Sequence, residues 1–260
     1  MIRNGEWCDK IELPYTPGHY LVGMIVKCGE KVEKFQVGDR VGAILPKGGG
    51  NARYVSVMTR NLVLVPKVHD ASQLVCLLST YMIAYQILYT KSILEVTPIS
   101  SDGLLPTIKG KTLLVTNATS PLGRALVDLA QLGGADIVYG TSDRSQKEIV
   151  IKAGGHWLPG NSDAWLPLIK GRCDFVIDCV CSDGYYSSSL ALKDTGHLII
   201  PGKFAAVMAS KGDKLCTFGS SSFAKMQAEY FMTRTKFYDL FDSFEKDPAQ
   251  YKVSKSHFQY

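Results

Sequence analysis

The stretch from Lys111 to Lys147, KTLLVTNATSPLGRALVDLAQLGGADIVYGTSDRSQK, decides the fold. Thr112 to Thr116 is a short run of β-branched residues and leucine, the composition of a buried parallel strand. Ser120 and Pro121 form a helix-starting pair, because the serine hydroxyl caps orphan amides and proline suits the first helical position. Leu122, Leu126 and Leu129 then recur on one helical face until Gly133-Gly134 stops the helix. Ile137 to Gly140 reads as a second strand. Strand, tight turn, helix and strand make a βαβ unit, whose first turn directs backbone N–H groups and the positive end of a helix dipole at an anion.

A dinucleotide pyrophosphate is the usual occupant of such a turn, but the three positions that would carry small residues here hold Asn117, Ser120 and Gly123. The surviving third glycine serves close packing of helix on strand. Ser120 can cap the helix and Asn117 can tolerate left-handed dihedrals, so the loop leaves two readings open: a nucleotide site and a purely structural turn.

Working outward, 46% apolar and 20% charged residues in a chain of 260 describe ordinary globular composition, enough for one large or two ordinary domains. The formal charge of +5 is spread thinly, with no basic block of the kind that binds nucleic acid. Seven cysteines without a repeating spacing point to free thiols in a reducing, cytoplasmic compartment. Cys179 and Cys181 are too close in sequence for a metal pair and read as buried apolar residues. The N-terminus lacks the apolar core of a signal peptide, and the apolar run Leu74 to Leu88 reads as a buried helix too short to span a bilayer, so no membrane partner is expected.

Ahead of the βαβ unit, Tyr20 to Val65 consists of short β-branched runs punctuated by glycine and asparagine, including GGGNARYVSV at Gly48 to Val57; this predicts a small antiparallel barrel. Beyond Lys147 the alternation continues: a helix up to Gly154-Gly155, a strand at His156 to Leu158 and a helix near Asp163 to Lys170. A strand at Asp174 to Val180, a helix from Gly184 to Leu192 and a strand at His197 to Pro201 follow. Such alternation implies a parallel sheet covered on both faces, with the turns after Thr116, Gly140, Val180 and Ile200 converging on one site. The aromatic segment Phe223 to Phe244 reads as a helix packed on the sheet, with a homodimer contact among its roles.

The order of these parts resembles the medium-chain dehydrogenase/reductase superfamily, in its zinc-free quinone-oxidoreductase-like branch. The stretches that carry the resemblance are Pro17 to Ile44, Gly49 to Val55, Ser79 to Leu88, the βαβ unit, CDFVIDCV at Cys173 to Val180 and LKDTGHLIIPG at Leu192 to Gly202. The resemblance implies an α/β chain, a Rossmann doubly wound parallel sheet preceded by an incomplete GroES-like β-barrel. Its expected divisions are residues 1–85 (barrel), 86–219 (Rossmann) and 220–260 (aromatic helix and tail). It further implies hydride transfer from a nicotinamide cofactor to a small molecule, a quinone or an enone-like double bond. Zinc-dependent relatives carry Gly-His-Glu where this chain has Gly18-His19-Tyr20, and they have a four-cysteine lobe that is missing here. No metal is therefore expected, and His19 reads as a hydrogen-bonded barrel residue.

Cofactor type is written after the second strand, where an acidic side chain would bind the ribose hydroxyls of NAD. Here Thr141, Ser142, Asp143, Arg144 and Lys147 follow Gly140, and the hydroxyls and two cations favour NADP (NADPH); Asp143 weighs against it. The expected cofactor-binding set is Thr80, Asn117, Ser120, Pro121, Leu122, Gly123, Ser142, Arg144, Lys147, Val180 and Gly202. No catalytic residue is assigned, and Tyr20 and Tyr54 are candidates only through their place in the barrel motifs. With sixteen residues ahead of Pro17 and the chain closing at Tyr260, the barrel is expected to lack strands at both ends, which keeps a non-catalytic nucleotide-binding or scaffold relative as the alternative. Thr116 to Gly123 also resembles the loop of short-chain dehydrogenases, with Tyr251 and Lys255 in their Tyr-x-x-x-Lys spacing, but that reading leaves Pro17 to Val65 unexplained.

Overall fold

The computed structural model describes residues 13–89, 108–180, 182–183, 185–201 and 234–238, with 235–238 described through their backbone. These fall into two compact units, one within Ile11–Ile83 and the other within Ala84–Asp239.

In the first unit, β1 (Tyr20–Met24), β2 (Arg40–Ile44) and β3 (Leu62–Leu64) form an antiparallel sheet in the order β1-β2-β3. The central strand buries Val41, Ala43 and Ile44. Arg40 at its start donates to the carbonyls of Pro66, Lys67 and His69 at 2.9, 3.1 and 2.7 Å, fixing the chain as it leaves β3. The expected strand at Gly48 to Val57 is absent among the described residues. Gly48 and Gly49 take φ of 79° and 101°, which a pleated strand cannot accommodate, and Gly49, Gly50 and Asn51 instead donate to Thr16, Gly18 and Pro17.

Helix α1 (Ala71–Tyr89) follows, capped by Asp70, whose carboxylate accepts from Ser72 and Gln73. Its 19 residues meet the length and composition of a membrane span. Its second half is nevertheless packed as a core helix: Ala84, Ile87 and Leu88 are fully buried, and the Tyr89 hydroxyl donates to the Leu129 carbonyl.

The second unit is the expected parallel sheet. Its described strands are β4 (Thr112–Val115), β5 (Ile137–Ser142), β6 (His156–Pro159), β7 (Cys173–Ile177), β8 (Leu192–Pro201) and β9 (Thr235–Tyr238), in the order β6-β5-β4-β7-β8-β9. All neighbours pair in parallel. This is the doubly wound order in which the first strand of the sheet lies at its centre. The described helices between the strands are α2 (Pro121–Leu132), α3 (Lys147–Lys152), α4 (Ser162–Ile169) and α5 (Tyr186–Ala191). Leu114, Val176, Leu198 and Ile200 from the strands pack with Trp165 and Ile169 from α4 in one core.

Two elements differ from the sequence expectation. β8 begins at Leu192, not at His197, because Leu192 already pairs with Cys173 ahead of a register irregularity. Within the aromatic segment expected to be helical, Thr235–Tyr238 is a strand whose residues pair with Leu198 to Pro201. A β-branched and aromatic tetrapeptide beside an open strand edge gains a full ladder of hydrogen bonds, and that tertiary gain overrides helical spacing. Apart from Arg234, the rest of Phe223 to Phe244 lies outside the described residues, as do Gly202, Cys181, Tyr251 and Lys255.

Candidate functional site

The sheet reverses its winding between β4 and β7, and a crevice at the carboxyl ends of those strands is where such sheets hold ligands. Three connections meet there. After β4 the chain turns at Asn117, which takes φ of 51°, the left-handed conformation that the sequence suggested asparagine would tolerate. Ser120 then caps α2: its hydroxyl accepts from the Gly123 amide at 3.1 Å and donates to the Asn117 carbonyl at 2.8 Å. Gly123 is indispensable to this turn. A β-carbon there would collide with the Asn117 carbonyl oxygen and lie 2.7 Å from the Ala118 α-carbon, both backbone atoms. Pro121 has no N–H, and Gly123 and Arg124 donate to Ser120, which leaves the Leu122 amide at the helix start, with the Thr119 amide ahead of it, to meet an anion.

Hydrogen bonds fasten this turn to both neighbouring connections. Toward β5, the Asn117 amide donates to the Thr141 hydroxyl at 3.0 Å, the Ala118 amide to the Thr141 carbonyl at 2.8 Å, and the Thr119 hydroxyl to Gln146 at 2.8 Å. Toward β7, the brace is Asp178, buried with 4% exposure. Its carboxylate accepts from the Thr116 hydroxyl at 2.8 Å, the Val180 amide at 2.9 Å and the Ser188 hydroxyl of α5 at 2.5 Å. The Thr116 oxygen in turn accepts from the Cys179 amide at 2.9 Å. Burial, followed by the Asp178 charge, pushes the Cys179 thiol well above its usual range, so this cysteine is an inert thiol. The described non-glycine residues with positive φ are Asn117 and Tyr185, and they follow β4 and β7 respectively. Strained backbone of this kind concentrates at sites where a ligand is handled.

At the end of β5, Arg144 and Lys147 are both exposed, Arg144 in a short 3-10 turn and Lys147 at the start of α3. The Lys147 ammonium stands 5.4 Å from the centre of the Trp157 ring. Ser142 is buried and already committed: its hydroxyl accepts from the Trp157 indole N–H and donates to the Asp143 carbonyl, each at 3.1 Å. Of the other expected residues, Pro121 is exposed at the helix start, and the Val180 amide is spent on Asp178. Thr80 belongs to the first unit, in a π-helical turn at Leu77–Tyr81, with its hydroxyl 3.3 Å from that of Ser79. Gly202 lies outside the described residues. The buried braces Thr116, Asp178 and Ser188 were not foreseen; the available signal was a carboxylate directly after the apolar run Phe175 to Ile177.

Comparison with known proteins adds the wider relationship. Residues 1–67 match the alcohol dehydrogenase GroES-like domain. The chain is 23% identical over 209 residues to the quinone oxidoreductase of Mus musculus, covering 77% of this chain and 59% of the mouse protein. It is 33% identical over 149 residues to a quinone oxidoreductase-like protein 2 homolog of Nematostella vectensis, covering 57% of this chain and 37% of that protein. It thus spans less than two thirds of the length of these relatives. These matches support the resemblance to the medium-chain dehydrogenase/reductase superfamily, in its quinone-oxidoreductase-like branch. Among solved structures, the CurK enoyl reductase shares the fold with a TM-score of 0.69 at 22% identity, over 90% of this chain and 64% of that one. Mycobacterial Rv1454c complexed with NADPH does so with a TM-score of 0.71 at 18% identity, over 96% of this chain and 71% of that one.

In the first unit, His19 is held on both sides, its Nδ1 2.9 Å from the Leu45 carbonyl and its Nε2 3.4 Å from the Tyr15 hydroxyl. Among the described residues no group of three or more His, Cys, Asp or Glu side chains is arranged to hold a metal ion. Tyr54 is 67% exposed beneath the Arg53 guanidinium, and Tyr20 begins β1 half-buried. For a dinucleotide the donor set does fit: a capped helix N-terminus with the Leu122 amide at its start, a left-handed turn, and two exposed cations after the next strand.

Proposed function

We propose that this chain is an NADPH-dependent cytoplasmic oxidoreductase of the quinone-oxidoreductase or enoyl-reductase type, which delivers hydride to a quinone or an activated C=C bond without a metal. The observation that carries the reading is the joining of the three carboxyl-end connections by Thr116, Thr141 and Asp178 into one braced platform. In this reading the Leu122 amide and the Asn117 turn receive the pyrophosphate, and Arg144 with Lys147 receives the ribose 2′-phosphate. Ser142, expected beside them, acts through Trp157 instead of donating to phosphate. NADPH would supply the hydride; the chain's own residues bind it, orient it and hold the sheet's crevice rigid. The GroES-like match and the quinone oxidoreductase relatives support the substrate class. The committed His19 nitrogens and Tyr20 at the glutamate position support metal independence. The free thiols of Cys28, Cys76, Cys173 and Cys179 support a reducing compartment.

A second reading, a nucleotide-binding relative without turnover, draws on Asn117 and Ser120 standing in the glycine positions of the loop. The test is the loss of NADPH absorbance in the presence of a small para-quinone or an α,β-unsaturated ketone. Steady oxidation with either acceptor, undiminished by a chelator, is expected. Tight NADPH binding with no oxidation by a panel of both classes would leave the second reading.

A further inference from the structure

Trp157 belongs to no expected site, yet it touches two groups of the cofactor assignment at once. It lies on β6, paired with Gly140 of β5, one strand away from the chain segment that bears the two cations. Its indole N–H donates to Ser142 at 3.1 Å, and its ring centre lies 5.4 Å from the Lys147 ammonium. Lys147 is exposed and opens α3; a lysine there has a flexible four-carbon stem and would ordinarily sample many positions. An aromatic face within about 6 Å of an ammonium attracts it and narrows that sampling. The indole bond to Ser142, which itself donates to the Asp143 carbonyl, fixes the ring relative to the turn carrying Arg144. Arg144 has no such support: among the described residues its side chain makes no hydrogen bond or ion pair.

We propose that Trp157 is a specificity-determining positioning residue, which holds Lys147 over its ring so that the ammonium is pre-placed for the 2′-phosphate that distinguishes NADPH from NADH. This rests on the cofactor reading above. Trp157 needs no contact with the nucleotide; its contribution is to the placement of one cation and therefore to discrimination between two ligands differing by one phosphate.

The test uses two probes that isolate that phosphate, 2′,5′-ADP and 5′-AMP, titrated calorimetrically into the full chain. Trp157→Phe keeps an aromatic face and removes the indole N–H; Trp157→Leu removes both. A cation–π contact at an exposed site corresponds to about a two- to fivefold change in affinity. The expected result is a loss of that size for 2′,5′-ADP in Trp157→Leu, a smaller loss in Trp157→Phe, and 5′-AMP affinity unchanged. In a Lys147→Met background, Trp157→Leu should produce no further loss. Circular dichroism checks folding, and the phenylalanine variant carries the test where the leucine variant does not fold. Parallel weakening of both probes, or an undiminished loss in the Lys147→Met background, overturns the assignment and leaves Trp157 a packing residue. A wild-type preference for 2′,5′-ADP indifferent to Trp157 overturns this assignment alone, whereas a wild-type chain that binds neither probe overturns the cofactor reading together with it.

Discussion

Gly123 shows how one missing atom fixes the geometry of the candidate site. Glycine inside a helix ordinarily costs about 1 kcal/mol relative to alanine, so Gly123→Ala carries a local gain in helix propensity. Against it stands the collision of the new β-carbon with the Asn117 carbonyl and the Ala118 α-carbon, backbone atoms that no rotamer change can move. Overpacking of this kind costs about 1–3 kcal/mol and more where backbone must shift, so the collision wins. Chemical denaturation of Gly123→Ala should show a net loss of about 1–2 kcal/mol; an unchanged or raised stability would mean that the turn relaxes freely. The left-handed Asn117 and the Ser120 cap were legible in the sequence because residue type alone announces them. Asp178 was not, since its partners Thr116 and Ser188 are 62 and 10 residues away and only the fold brings them to its carboxylate.

Among the elements, β4 and β7 are tied at their amino ends as well as at the crevice. Asp174 accepts from the Thr112 amide at 2.8 Å and from the Lys193 ammonium at 2.7 Å, with Lys111 at 4.0 Å. Burial raises the affinity of this carboxyl for protons, but the Lys193 hydrogen bond, the Thr112 amide and the two lysine charges outweigh it and hold the group below its usual range. A carboxyl depressed in the folded state contributes stability that is complete above its unfolded value, near 3.8, and is lost as pH falls through the folded value. An Asp174→Asn variant should therefore be less stable than wild type at neutral pH and converge with it as the pH falls below 3.8 through the depressed folded value, measured by denaturant midpoint across pH. A constant gap over the whole range would remove Asp174 from the acid response. Strands and helices of this sheet were readable because parallel strands are continuous apolar runs and glycines mark the helix ends. Residues 235–238 were not, because their strand identity depends on the β8 edge.

For the whole molecule, the sequence pattern was sufficient for the parallel sheet and for a β-rich unit before it, while the barrel reading overreached at Gly48 to Val57. Glycines there favour left-handed turns, and periodicity has no way to register that. What joins the two levels is the braced platform at the sheet's carboxyl end: distant hydroxyls and a carboxylate hold three connections together, and the proposed cofactor site rests on them. The measurement that tests this most directly is the thermal midpoint of the purified chain titrated with NADPH, with NADH and an Arg144→Ala variant in parallel. At a hundredfold excess over the dissociation constant, binding to the native state alone contributes about 2.7 kcal/mol, which corresponds to a rise on the order of 5–10 °C. Such a rise is expected with NADPH, a smaller one with NADH at the same concentration, and loss of the difference in Arg144→Ala. A folded chain whose midpoint moves with neither nucleotide would contradict it.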